Sequence, residues 1–205
     1  MKIFAIEKNY ALYNKTPDEA LSIIDEPVIS CKADSALLKS HKPFFVPDFM
    51  GRIDYEPELV VRISRLGKTI PERFAYRYYD AVTVGVDFTA RDIQQRLSHA
   101  GLPWDLGKGF DGSAVVGDWI GKEKFLDIQS LRFHLDINNI TVREGCASEM
   151  LFRVDELIAY ISRYFTLKTG DIIFTGAPAD SAPVHIGDHV EGYLENCKVL
   201  EFNCK

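Results

Sequence analysis

The chain has 205 residues, 46% hydrophobic and 26% charged, with a formal net charge of −6. This is enough to bury a core without staples, and the acidic balance with interspersed signs argues against a nucleic-acid-binding surface, which needs a basic patch. Met1 to Glu7 reaches a charge too soon for a secretory leader, and no apolar run nears the roughly 18–20 residues of a membrane helix. Cys31, Cys146, Cys197 and Cys204 lack the short spacings of a zinc or redox motif. The expectation is a cytoplasmic protein with reduced thiols, binding neither nucleic acid nor membrane.

Strand signals dominate in chain order. Short β runs are expected at 2–6, 27–31 and 59–64. The run 81–88 alternates, placing Val82, Val84 and Val86 on one face. Further strands are expected at 130–137, 140–142, 171–174, 189–194 and 199–202, separated by Gly, Asn and Pro turns. Helical signals are fewer. Thr16-Pro17-Asp18-Glu19 reads as a capped helix start leading into Ala20, Leu21, Ile23 and Ile24. Residues 72–80 carry Phe74, Tyr78 and Tyr79 on a helix-like face, and 89–100 begins with Thr89 as an N-cap. In 153–164, Val154, Leu157, Ile158 and Ile161 recur at helical spacing. With no repeat and no linker, the chain reads as one mainly β domain with flanking helices (α+β).

Four groups of residues carry possible chemistry. Glu56 and Glu58 flank Pro57 at the opening of a strand, where i and i+2 side chains share a face. Two carboxylates that close repel unless a cation or protons lie between them. The alternative is an exposed strand edge, which Pro57 suits. Asp87 ends an apolar β run, a place charged residues occupy when paired or metal-bound; it could equally cap the next helix or pair with Arg91. Three oxygen ligands on rigid elements suit a hard divalent ion such as Mg2+. Gly107-Lys108-Gly109 lets an ammonium approach a ligand closely, although such loops are often plain. Phe174-Thr175-Gly176 brings a β run to a tight turn that can offer a hydroxyl and N–H groups to an anion. His41, His99, His134, His185 and His189 show no ligand spacing.

Taken in order, five segments resemble the fumarylacetoacetate hydrolase family: Glu56-Pro57-Glu58-Leu59, Gly85-Val86-Asp87-Phe88-Thr89-Ala90-Arg91-Asp92-Ile93-Gln94, Lys108-Gly109-Phe110-Asp111, Leu167-Lys168-Thr169-Gly170-Asp171 and Phe174-Thr175-Gly176-Ala177-Pro178. The likeness spans roughly residues 8–195. It implies the mixed β-sandwich roll of the family's C-terminal domain over 1–205, with 1–45 as a cap or lid-bearing segment, in a homodimer. It implies Glu56, Glu58 and Asp87 as metal ligands, with Mg2+ usual and Mn2+ or Ca2+ as substitutes. It implies Lys108 as the catalytic lysine assisting a small anionic keto acid, and Lys108, Thr175 and Gly176 as the substrate-binding residues. The implied function is a metal-dependent enzyme acting on a 2-oxo or β-diketo acid through a metal-stabilised enolate, by isomerisation, decarboxylation or C–C hydrolysis.

The sequence departs from the family's pattern in the lid. Hydrolytic members carry a histidine, with a glutamate close behind, after an Asn-Tyr-Ala element. Here Asn9-Tyr10-Ala11 is followed by Leu12 and Tyr13, so a tyrosine stands where the histidine would fall. An un-ionised phenol is a poor base at neutral pH. Asp18 and Glu19 are the nearby acids that could substitute. Ala177, in place of the usual threonine, and Asp180-Ser181-Ala182 point to an altered pocket. Enolisation, isomerisation and decarboxylation need no such dyad; the alternative is a member that keeps the ion and has lost turnover.

Overall fold

The computed structural model describes residues 1–11, 24–178 and 181–205. The expected helix after Thr16, with Tyr13, Asp18 and Glu19, lies outside the described residues, as does Asp180. Thirteen strands are described. The first seven are β1 (Ile3–Glu7), β2 (Val28–Lys32), β3 (Leu37–Lys39), β4 (Ile53–Ile63), β5 (Tyr79–Ala90), β6 (Ala114–Val116) and β7 (Ile120–Gly121). The rest are β8 (Arg132–Ile137), β9 (Ile140–Cys146), β10 (Ile172–Phe174), β11 (Ala182–Pro183), β12 (His189–Leu194) and β13 (Cys197–Asn203). Three α-helices accompany them among the described residues: α1 (Glu72–Ala75), α2 (Arg91–His99) and α3 (Val154–Tyr164).

The strands form two sheets. The larger runs β2-β1-β10-β4-β5-β6-β3, with β11 added beside β4 and β7 beside β5. It is mixed: β1 pairs β10 and β3 pairs β6 in parallel, while the other pairs are antiparallel. The smaller is an antiparallel sheet in the order β13-β12-β8-β9. Period-two alternation decides how they pack. Val86 and Phe88 of the large sheet bury against Leu135, Ile137, Val190, Leu200 and Phe202 of the small one. Leu59, Val61, Val82 and Val84 pack with Leu157, Ile158 and Ile161 of α3. Mainly β layers with few helices match the expected sandwich roll.

Three expectations are corrected. The strand opened by Glu56 extends from Ile53 to Ile63 and is central. Pro57 is tolerated there because β10 pairs only Val60–Arg62 and β11 only Asp54–Tyr55, so no neighbour on that side requires its missing N–H. The helix expected over 72–80 is a single turn, because Tyr79 is drawn into the β5 ladder opposite Ile63. Thr89 is not a cap: α2 starts after Ala90 without a side-chain cap bond, and the Thr89 hydroxyl donates to Glu56 Oε2 at 2.9 Å.

Candidate active site

The pairing of β4 with β5 builds the site. Glu56 lies directly opposite Asp87, and Glu58 opposite Gly85. Directly opposed residues share a face, so Asp54, Glu56 and Glu58 join Asp87 and Thr89 on one polar face, while Tyr55, Leu59, Val86 and Phe88 point the other way. Gly85 has no room for a side chain: a Cβ there would stand 2.7 Å from the Phe174 ring. Glu56 and Glu58 fall in the stretch between β10 and β11, where β4 lacks a neighbour on that side.

Lys108, at the end of a 3₁₀ turn, places its ammonium among these acids. Its Nζ is 2.9 Å from Glu56 Oε2, 3.1 Å from Asp87 Oδ2 and 3.6 Å from Glu7 Oε1. Burial weighs against its charge, but Asp87, Glu56, Glu7 and Glu58 together hold it well above the ordinary lysine value. The structure thus brings Glu56, Glu58, Asp87 and Lys108 into one cluster. Glu58 is buried and takes the Gly176 N–H at 2.5 Å. Its carboxyl is held well above the usual range, first by burial and then by Asp87. Arg91, offered as a partner for Asp87, instead pairs with Asp54 and approaches Glu56.

Thr175 and Gly176 face inward. Thr175 is fully buried and its hydroxyl donates to Leu59 O at 2.8 Å. Gly176 has a φ of +98°, and a Cβ there would lie 2.7 Å from Asn9 Cβ. Asn9 ties the turn down: Nδ2 donates to Thr175 O and Phe152 O, and Oδ1 accepts from Phe152 N. The turn therefore sets the position of Glu58.

Two site residues escaped the sequence reading. Lys32, fully buried, sits 2.7 Å from Asp87 Oδ1. Lys32 Nζ also donates to the Lys108 carbonyl and to Ser113 Oγ. Glu7 approaches from β1, held by Ser30 Oγ at 2.8 Å. Period-two alternation puts Glu7 on the face of Ile3 and Ala5, the one available signal. Nothing local marks Lys32, which reads as the end of an ordinary strand.

The donor set fits a hard divalent cation. Glu7, Glu56, Glu58 and Asp87 outnumber Lys32 and Lys108 by two formal charges. Glu56, Glu58 and Asp87 do not bring three ligand atoms within 4.8 Å of one another, Lys108 bridging Glu56 and Asp87, whereas among the described residues His189, Glu191 and Glu201 do. There Lys198 already bridges both glutamates at 2.8 Å, making it an ion-pair network. All four cysteines are free. Among the described residues no helix is long and apolar enough to cross a membrane.

A mixed β roll with clustered acids and buried lysines at one end defines the class, and comparison with known proteins gives the family. The Fumarylacetoacetate (FAA) hydrolase C-terminal family matches residues 2–203. The chain belongs to the fumarylacetoacetate hydrolase family. It is 38% identical over 200 residues to an uncharacterized protein of Pyrococcus abyssi, covering 98% of this chain and 88% of that protein. It is 32% identical over 203 residues to the mitochondrial oxaloacetate tautomerase FAHD1 of Mus musculus, covering 99% and 91%. The fumarylpyruvate hydrolase of Pseudomonas aeruginosa, solved with Mn2+ and pyruvate, superposes with a TM-score of 0.89 at 26% identity, over 100% of this chain and 89% of that one. The chain is accordingly an enzyme of this family of isomerases and hydrolases.

Proposed function

We propose that this chain is a divalent-metal-dependent enzyme that enolises a small 2-oxo acid, its reaction being keto–enol isomerisation of an oxaloacetate-like substrate. The observation that carries the reading is that Glu56, Glu58 and Asp87 stand on one face of the β4–β5 pair, with Lys108 bridging Glu56 and Asp87. A relative named as an oxaloacetate tautomerase and a relative solved with Mn2+ and pyruvate support the substrate class and the ion class. Glu56, Glu58 and Asp87 would hold Mg2+, with Mn2+ or Ca2+ as substitutes. When bound, the ion supplies Lewis acidity toward the oxo-carboxylate.

The chain's own residues supply the rest. Lys108 presents a buried ammonium to the oxygen on which enolate charge develops, where a fixed charge in a low-dielectric site is most effective. Asp87 and Glu56 orient that ammonium. Gly176, anchored through Asn9, fixes Glu58 and the adjoining pocket wall, and Thr175 locks the turn to β4. Hydrolysis is disfavoured because Tyr13 replaces the lid histidine that activates water in hydrolytic members. We read 1–205 as one catalytic unit, with β1, β2 and β3 of its N-terminal segment built into the large sheet.

The test is decay of the oxaloacetate enol absorbance with Mg2+ or Mn2+, beside direct Mn2+ titration. Asp87→Asn is expected to abolish both Mn2+ binding and turnover in a folded protein; retained Mn2+ affinity would refute the ligand assignment. A wild type that binds Mn2+ tightly yet converts none of oxaloacetate, acetylpyruvate or fumarylpyruvate would instead make this a binding member of the family.

A further inference from the structure

The proposed enolisation moves a proton from carbon to oxygen and so needs a residue to carry it. We infer that Glu7 is that carrier, the catalytic acid–base residue that moves a proton between the carbon and the oxygen of the substrate's enolisable group. The inference rests on the enolisation reading above and adds a residue to it.

Geometry singles Glu7 out. Ile3 and Ala5 are buried on the face that packs against Val60 and Phe174, and Glu7 is the polar end of that stripe. Lys108 is bracketed by three carboxylates. Two, Glu56 and Asp87, stand on the paired strands β4 and β5 and belong to the metal-binding set. The third, Glu7, comes from β1, with the ammonium between it and them. Ser30 Oγ fixes its rotamer from β2. Its side chain is 18% exposed, sheltered yet open to a ligand. The groups facing it are therefore Lys108, Asp87, Glu56 and Ser30. Burial lifts its carboxyl above the usual range; Lys108 opposes this and Asp87 and Glu56 add to it. A carboxyl so placed, beside the ammonium that faces the substrate, is within reach to take and return a proton.

The step balances. The Glu7 carboxylate accepts the proton from the carbon beside the oxo group. The C–H electron pair becomes the carbon–carbon double bond, and the carbonyl π pair withdraws onto oxygen beside the Lys108 ammonium. Return of the same proton to that oxygen gives the enol and restores the carboxylate. No oxidant or co-reactant is needed.

The test uses the full chain with Mn2+ or Mg2+. Its readouts are oxaloacetate enol decay, deuterium exchange at the substrate's C3 position, and Mn2+ affinity. Glu7→Gln is expected to slow both proton-transfer readouts by about 10²–10⁴-fold while Mn2+ affinity stays within about tenfold, since the lost charge is only a neighbour of the ion. Glu7→Asp should recover part of the rate, and formate should rescue Glu7→Ala, which a structural role would not allow. Exchange within threefold of wild type in Glu7→Gln overturns the inference and leaves the proposed function standing. Loss of Mn2+ binding in that variant overturns it in favour of a ligand role. A wild type without exchange overturns both readings.

Discussion

Lys32 offers a sharp test of how the site is held together. It is fully buried, with its ammonium 2.7 Å from Asp87 Oδ1 and donating to the Lys108 carbonyl and Ser113 Oγ. Burial pulls its pKa below the ordinary lysine value, with Asp87 pulling the other way. Lys32→Met keeps length and volume but removes the charge. Breaking a buried pair by deleting one partner costs about 3–5 kcal/mol. Asp87 keeps Lys108 at its other oxygen, at 3.1 Å, so the lower end, about 3 kcal/mol, is expected here. The assay is urea unfolding in the presence of a chelator, for wild type, Lys32→Met, Asp87→Asn and the double variant. Much of the cost of Lys32→Met is the stranded Asp87 charge, which Asp87→Asn has already removed. The cycle should therefore return a coupling of about 2 kcal/mol. A coupling below about 0.5 kcal/mol would refute the claim that Lys32 and Asp87 form an energetic unit.

Two further outcomes follow from the same geometry. Gly176→Ala forces a side chain into a φ of +98° and within 2.7 Å of Asn9 Cβ. It should cost about 1–3 kcal/mol in urea unfolding and weaken Mn2+ binding by shifting the N–H that holds Glu58; unchanged stability would contradict the packing. Asp54 gives a pH signature. Burial pushes its carboxyl up, but hydrogen bonds from Arg52, Ser181 and Arg91 outweigh this and leave it below the ordinary aspartate value. A depressed folded value means the stabilisation is complete above the unfolded value and is lost as pH falls through the folded one. The stability gap between wild type and Asp54→Asn should therefore stay constant from pH 7 to about 5 and narrow below about 4. Thermal melts across that range check it, and a gap that widens toward acid would reverse the sign.

The sequence determined the class of fold and singled out Glu56, Glu58, Asp87 and Lys108, which the structure gathers at one place. Alternation in 81–88 is a local property, so the Val82, Val84, Val86 face emerged as read. The i, i+2 spacing put Glu56 and Glu58 on one face whatever the strand paired with. Helical spacing likewise found α3. What the tertiary structure decided are matters of who stands opposite whom. Register set Asp87 across from Glu56 and sent Arg91 to Asp54. The ladder drew Tyr79 out of a helix and Thr89 away from a cap, because each lost local bond was replaced by a long-range one. Lys32 and Glu7 joined the site from strands more than twenty residues before Glu56. A lone lysine or glutamate at a strand end carries no mark in the chain; only the fold brings in the opposite charges that make burying it tolerable.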